Sequence, residues 1–312
     1  MKAGRRFKQV SILSLIMLIA VSSVAWAGNG TGNGTSSAEL LDIGIGCRAM
    51  ALGGAFTAFS NNASGVFWNP SGLANRSNTE LTLGYSNWYQ DLSLNYIALA
   101  APVSRRVSFA IGVIYLNYGD FNAYSVDDQP IGSFSGHNVV GQVSMAVGVT
   151  DKLSLGLTGK WVSEKIEEAT ASGYALDAGL RYDSGPFALG VTARNLGQGL
   201  EYEGEVSPFP TSYNAGIGFR LFNRGVNLTS EVVYPENGDI SFHQGVELLY
   251  QNTIALRSGY SHSMTDESQA ERNGLVMGFG LKVLTGSLDY SYEPGKDLGA
   301  VHRIEFSMSF GD

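Results

Sequence analysis

The sequence predicts an all-β protein, a transmembrane up-and-down antiparallel β-barrel of about 14 strands with an N-terminal plug. Three observations carry this. From Thr79 to Phe310, short segments are joined by connections that are alternately long and short. The short joints are Pro102–Arg106, Thr150–Lys152, Asp183–Gly185, Asn223–Gly225, Gln251–Asn252 and Thr285–Gly286. The long ones are Ser86–Asp91, Gly119–Phe134, Glu167–Ser172, Gly197–Pro210, Pro235–Asp239, Ser261–Gly274 and Glu293–Ala300. A membrane barrel with short turns at one end and longer loops at the other has this layout. Second, the segments alternate apolar and polar residues with a period of two, as half-buried strands do. Third, the chain has 40 Gly, 15 Tyr and 15 Phe but only 15% charged residues, against about 25% in an average soluble domain.

The first 27 residues read as an export signal. Lys2, Arg5, Arg6 and Lys8 form a basic start, Val10 to Ala25 is apolar, and Ala25-Trp26-Ala27 is a small-x-small cleavage site. The Gly/Asn/Thr run from Gly28 to Thr35 is a flexible start. Past the signal, no apolar run is long enough for a membrane helix. A mature chain that spans a membrane must then do so as a closed barrel. Loss of four basic residues takes the net charge from -8 to -12, because residues 1–27 hold no acid. An acidic chain with no basic run argues against nucleic acid as a partner. The single cysteine, Cys47, excludes an internal disulfide and a cysteine-built metal site. It is expected to be a small buried residue.

Residues 38–78 break the strand rhythm. Arg48 to Phe56 is rich in small residues, with Gly53-Gly54 marking close backbone approach. Asn62 is placed to cap one short turn, and Pro70 to start another after an extended Asn69. A barrel of about fourteen strands has a lumen too wide for its own side chains to fill. Residues 42–74 are too irregular for strands and too apolar for a solvated tail. They are therefore predicted to lie inside the lumen, with Trp68 buried and Asn69-Pro70 a fixed bend. The expected division is 1–27 signal peptide, 28–78 flexible start and plug, and 79–312 barrel.

The strands follow. Leu153 to Trp161, Phe187 to Arg194, Tyr213 to Leu221 and Leu275 to Val283 put large apolar residues on one face and small or polar ones on the other. Lys160, Arg194, Arg220 and Lys282 fall on the second face. A soluble sandwich with one wet face shares this alternation, but not the consistent placement of long loops. Small residues on the inner face suit a barrel that must hold a plug. The last strand repeats Ile304, Phe306, Met308 and Phe310 on one face. It resembles the C-terminal insertion signal of outer-membrane barrels, although Gly311 and Asp312 follow the last aromatic.

The N-terminal segment carries a family resemblance. Arg48, the small residues through Leu52-Gly53-Gly54-Ala55, then Asn61-Asn62-Ala63-Ser64, Phe67-Trp68 and Asn69-Pro70-Ser71-Gly72-Leu73-Ala74 are similar to the start of PorV/PorQ proteins. These belong to the wider group of FadL-like long-chain fatty-acid transporters. Ser71 stands where an alanine is usual. The motif match covers residues 42–74. The resemblance implies a fourteen-stranded outer-membrane barrel closed by an N-terminal hatch, with Arg48, Gly53, Gly54, Asn69, Pro70 and Gly72 as its motif positions.

No enzyme is expected, and no cofactor. The four histidines, His137, His243, His262 and His302, fall in different strands and loops. Neither His-x-x-x-His nor Gly-x-Ser-x-Gly occurs. The inward-facing arginines Arg181, Arg194, Arg220 and Arg257 have two readings: a charge network that rigidifies barrel and plug, or a receptor for a carboxylate head group. Aromatic and aliphatic residues of the long joints, Phe121, Tyr124, Ile131, Phe134, Leu200, Tyr202 and Phe209, are either an exposed surface for a hydrophobic ligand or loop packing. The resemblance implies passage of long-chain fatty acids or similar compounds. Its alternative is a PorV-like role in type IX secretion, binding exported proteins at the cell surface. The expected location is the outer membrane, with membrane lipid and a hydrophobic small molecule or a secreted protein as partners.

Overall fold

A computed structural model describes residues 36–88, 92–202, 204–264, 274–295 and 299–311. The signal-peptide and flexible-start expectations for residues 1–35 fall outside this range, as does much of the 261–274 joint.

The strands are β1 (Thr79–Asn87), β2 (Ser93–Pro102), β3 (Val107–Tyr124), β4 (Pro130–Gly148), β5 (Leu153–Ile166), β6 (Ala169–Asp183), β7 (Phe187–Gly197), β8 (Leu200–Tyr202), β9 (Glu205–Ser207), β10 (Ser212–Leu221), β11 (Val226–Pro235), β12 (Ser241–Tyr250), β13 (Ile254–Ser263), β14 (Gly274–Val283), β15 (Gly286–Glu293) and β16 (Val301–Phe310). All but β8 and β9 form one closed antiparallel barrel, in which β1 pairs with both β2 and β16. That gives the fourteen-strand closure the rhythm predicts. Closure leaves no unpaired sheet edge, which a bilayer would penalise at every free backbone group. The short turns gather at one end, the turn end; the opposite end is the loop end. At the turn end Gln251 and Asn252 hold φ of 52° and 53°, a conformation asparagine tolerates better than most residues.

Alternation sets the two faces. Along β5, Ser154, Gly156, Thr158, Lys160 and Val162 point inward. Leu155, Leu157 and Trp161 point out and are 43–59% exposed. Ile97, Phe109, Ile111, Val143, Leu189, Val191, Leu256, Phe279, Ile304 and Phe306 continue this outer apolar surface around the wall. A water-soluble monomer rarely leaves so large a contiguous apolar surface exposed, whereas a membrane barrel requires it. Leu155→Arg is therefore expected to destabilise the barrel by about 2–4 kcal/mol, the cost of Arg near a bilayer midplane. Refolding into detergent micelles or vesicles under a urea gradient measures it.

Two long joints differ from the sequence expectation. The segment expected as loop Gly119–Phe134 is mostly ladder. Asp120 pairs with Ser135 and Ala123 with Gly132, after a register shift between Asn117 and Asp120. Only residues 125–129 connect β3 to β4. Glu167–Ser172 likewise shrinks to a two-residue turn, since β6 begins at Ala169. Both hairpins continue past the apolar belt, so the wall stands taller over β3–β6. The joint Gly197–Pro210 folds into the β8–β9 hairpin.

Candidate functional site: the plug and its latches

Residues 37–78 run through the lumen from the loop end to the turn end. At the loop end, Ser37 N donates to Pro208 O at 2.8 Å and its hydroxyl to Ser207 O at 2.7 Å. The Leu200 amide donates back to that hydroxyl at 3.2 Å. At the turn end the chain passes into β1, where Thr79 pairs with Phe310. Between them lie 3-10 turns at Glu39–Asp42, Ala63–Phe67 and Pro70–Leu73, and one short helix, α1 (Cys47–Ala51). An apolar cluster of Phe56, Phe59, Val66, Phe67, Trp68 and Leu73 fills the interior. Trp68 is 7% exposed. Its indole N–H donates to Ile45 O at 2.7 Å, and its ring meets Phe56 edge-on at 6.0 Å.

The seat for this segment is built from inward glycines. A Cβ on Gly259 would sit closer than 3.0 Å to backbone atoms of Leu52 and Gly53. Gly245 faces Leu52 in the same way, Gly190 faces Thr57–Ala58, and Gly156 faces Pro70–Ser71. Gly218 lies against the Phe59 ring and Gly112 against Phe67. Two irregular chains can approach this closely only where one lacks a side chain. The plug contributes its own glycines. Gly53 and Gly54 have φ of 69° and 82°, and a Cβ on Gly53 would strike the backbone of Gln244 and Tyr260. Gly72 is closed in by the Ser60 carbonyl and hydroxyl.

Asn69 and Pro70 form the bend. Asn69 is extended, and its side-chain oxygen accepts from the Ser71 amide at 3.1 Å. It thereby caps the turn that Pro70 begins. Its side-chain amide donates to Thr57 O at 2.9 Å, tying the two halves of the plug together. Asn62 was the expected cap, but its side chain makes no capping bond. The Ala63–Phe67 turn starts without a side-chain cap, and Asn62 Oδ1 is buried with no partner.

Three barrel carboxylates latch the plug. Glu247 accepts two bonds from Arg48, Nε to Oε2 at 2.9 Å and Nη2 to Oε1 at 3.0 Å. It also takes Arg257 Nε at 2.7 Å and Asn227 Nδ2 at 2.8 Å. Glu231 accepts the Thr57 amide at 2.8 Å and its hydroxyl at 2.7 Å. Glu305 accepts the Cys47 amide at 3.3 Å and the Tyr96 hydroxyl. All three are about 1% exposed. Cys47 is buried and free, and burial pushes its thiol well above the ordinary range. Such a thiol is a poor nucleophile.

The four candidate arginines divide. Arg181 donates to Ala58 O at 2.9 Å and pairs with Asp183. Arg220 pairs with Asp183 at 2.9 Å and covers the Phe59 ring at 4.8 Å. Arg257 bridges Glu247 and Asp289. Arg194 stacks over Trp68 at 5.4 Å and reaches Leu41 O at 3.4 Å, while its Nε is buried without a partner. Lys160 pairs with Asp177 at 2.7 Å. Lys282 ends exposed at the turn end rather than in the interior, because it sits on the last turn of ladder before the connection. His243 bonds the Gly53 carbonyl and Ser241 Oγ. Of the residues expected as an exposed loop surface, Leu200 and Phe209 are buried and Tyr202 is half-buried. Leu200 and Phe209 pack against Gly173, and Phe209 also against Gly197. Phe121 is exposed, on the β3 extension; the side chains of Tyr124, Ile131 and Phe134 fall outside the described set. Strand parity turns Glu231, Glu247 and Glu305 inward, but parity names a face and not a partner.

No family model matches the chain, and no curated protein matches it. Among solved structures, the fold is similar to the CymD monoaromatic hydrocarbon channel, at 16% identity and TM-score 0.63 over 86% of this chain and 98% of that one. The Pseudomonas putida toluene transporter TodX is similar at 13% identity and TM-score 0.62, over 85% and 97%. A Pseudomonas aeruginosa FadL homologue is similar at 12% and 0.54, over 85% and 97%. The chain shares its barrel architecture with these FadL- and TodX-type proteins.

Proposed function

We propose that the chain is an outer-membrane channel, not an enzyme, that passes small hydrophobic or amphipathic compounds through a plugged barrel. The observation that carries this is the filled lumen. Its centre is apolar, with Phe56, Phe59, Phe67 and Trp68 in it, and its plug is held to the wall by polar latches. A hydrophobic guest can trade contacts with those side chains; a hydrated solute has no comparable path. The structural likeness to a toluene transporter and a monoaromatic hydrocarbon channel supports the same class of cargo. Long-chain fatty acids are the narrower cargo that the resemblance at residues 42–74 implies. Among the four candidate arginines, Arg194 has a buried nitrogen without a partner, which suits it to meet a carboxylate head group.

Uptake tests this. Cells that make the chain are expected to accumulate labelled toluene or oleate faster than cells that lack it. Uptake of each compound at the same rate by the two kinds of cell would overturn the reading. The secretion role rests on the motif resemblance at residues 42–74. It predicts the reverse pattern, an exported protein co-purifying with the barrel and uptake unchanged.

A further inference from the structure

We propose that the outer wall of β3–β6 binds one membrane lipid, with an acyl chain in a glycine-floored groove and an anionic head group at Lys165. A groove of about 830 Å³ opens on this wall, within the roughly 300–1,000 Å³ of small-ligand sites. It exists because two outward positions are glycine. A Cβ on Gly159 would meet nothing within 4 Å, and one on Gly141 only the Trp161 ring at 3.8 Å. Ile111, Val143, Leu176 and Leu196 wall it. The outward positions beside it, such as Met145, Leu157 and Leu180, carry large side chains.

The chemistry above the groove is ordered along the wall. Trp161 and Tyr174 are register partners at its rim toward the loop end. One step further out on the same face, Ser163 pairs with Ser172. The next step pairs Lys165 with Thr170 on one side and with His137 on the other. Lys165 is exposed and His137 half-buried. At about 3.3 Å per residue, Lys165 lies on the order of 13 Å along the strand from Trp161. Apolar dent, aromatic rim, hydroxyls and then a cation repeat the order of acyl chain, interface, ester groups and phosphate in a lipid. Aromatic residues favour that interface level, and a lysine just above it attracts anionic lipid. Glu167 and Glu168 lie at the hairpin tip, past the level of Lys165. The wall faces the bilayer, so an acyl chain is the occupant that the surroundings supply.

Native mass spectrometry of the full chain, released from mild detergent and titrated with phosphatidylglycerol or phosphatidylcholine, tests the proposal. One retained lipid is expected, with phosphatidylglycerol held in preference. Gly159→Phe fills open space on the outer face, so it is expected to leave the barrel folded and to abolish the retained lipid. Lys165→Ala is expected to keep the lipid but erase the preference for phosphatidylglycerol. Unchanged retention in Gly159→Phe would overturn the proposal. So would equal binding of the two lipids by the unmodified chain, or a dimer that Gly159→Phe disperses, which would make the groove a contact between copies of the chain.

Discussion

Gly259→Val is expected to give a barrel that inserts but cannot seat its plug. Gly259 lies mid-strand in β13, opposite Gly245 on one side and Val276 on the other. Valine suits a strand, so the wall itself loses nothing. The new side chain points inward, where even a Cβ would come closer than 3.0 Å to backbone atoms of Leu52 and Gly53. Backbone cannot move aside as a flexible side chain can. Overpacking of this kind costs about 1–3 kcal/mol in ordinary cores, and two facing backbones put this site at or above the upper end. The plug is the looser partner, so it should shift. Gly159→Val is the control, since it adds the same side chain to open space on the outer face. Thermal unfolding and single-channel recording should separate the two variants. Equal behaviour would mean that the glycine seat does not position the plug.

Glu247→Ala should be as damaging, by electrostatics instead of volume. Glu247 takes two bonds from Arg48 in the plug and one from Arg257 in the wall. Its removal leaves Arg48 and Arg257 facing each other across a buried gap, with Asp289 as the nearby acid on the Arg257 side. Breaking a buried ion pair by deleting one partner costs about 3–5 kcal/mol. The loss should fall on the plug contact, because Arg257 keeps an acid, Asp289, while Arg48 keeps the neutral Asn61 at 2.8 Å and the Phe56 ring at 5.6 Å. Limited proteolysis within residues 42–74 should therefore quicken while the barrel stays resistant. A cleavage rate equal to that of the unmodified chain would show that the latch carries little of the plug's hold.

The fold was legible because the bilayer imposes a simple rule. Leu153 to Trp161 and Leu275 to Val283 must alternate, and the joints must gather by length at two ends. The heights of the joints were not legible. Segments such as Asp120–Ala123 and Ser133–Ser135 are flanked by Gly119, Gly132 and Gly136 and read as loop, yet they pair, because a hairpin continued past the apolar belt needs no apolar alternation. The site was legible in outline only. Inward glycines at 156, 190, 245 and 259 read as small residues, and nothing in one dimension says that Gly259 meets Gly53. The same limit drew attention to the arginines. Arg257 lies directly across from Glu247 in the β12–β13 register, and without that register the charges look unmatched. Asn69 showed its bend through Pro70 but not its cap, which needs the side-chain geometry.

The central claim is that residues 42–74 keep the lumen closed. Planar-bilayer recording of the full chain beside a variant lacking residues 42–74 tests it most directly. The full chain should show little steady ion current, and the deletion variant should insert and conduct small ions as an open pore. A deletion variant that inserts and stays as tightly closed as the full chain would contradict the claim.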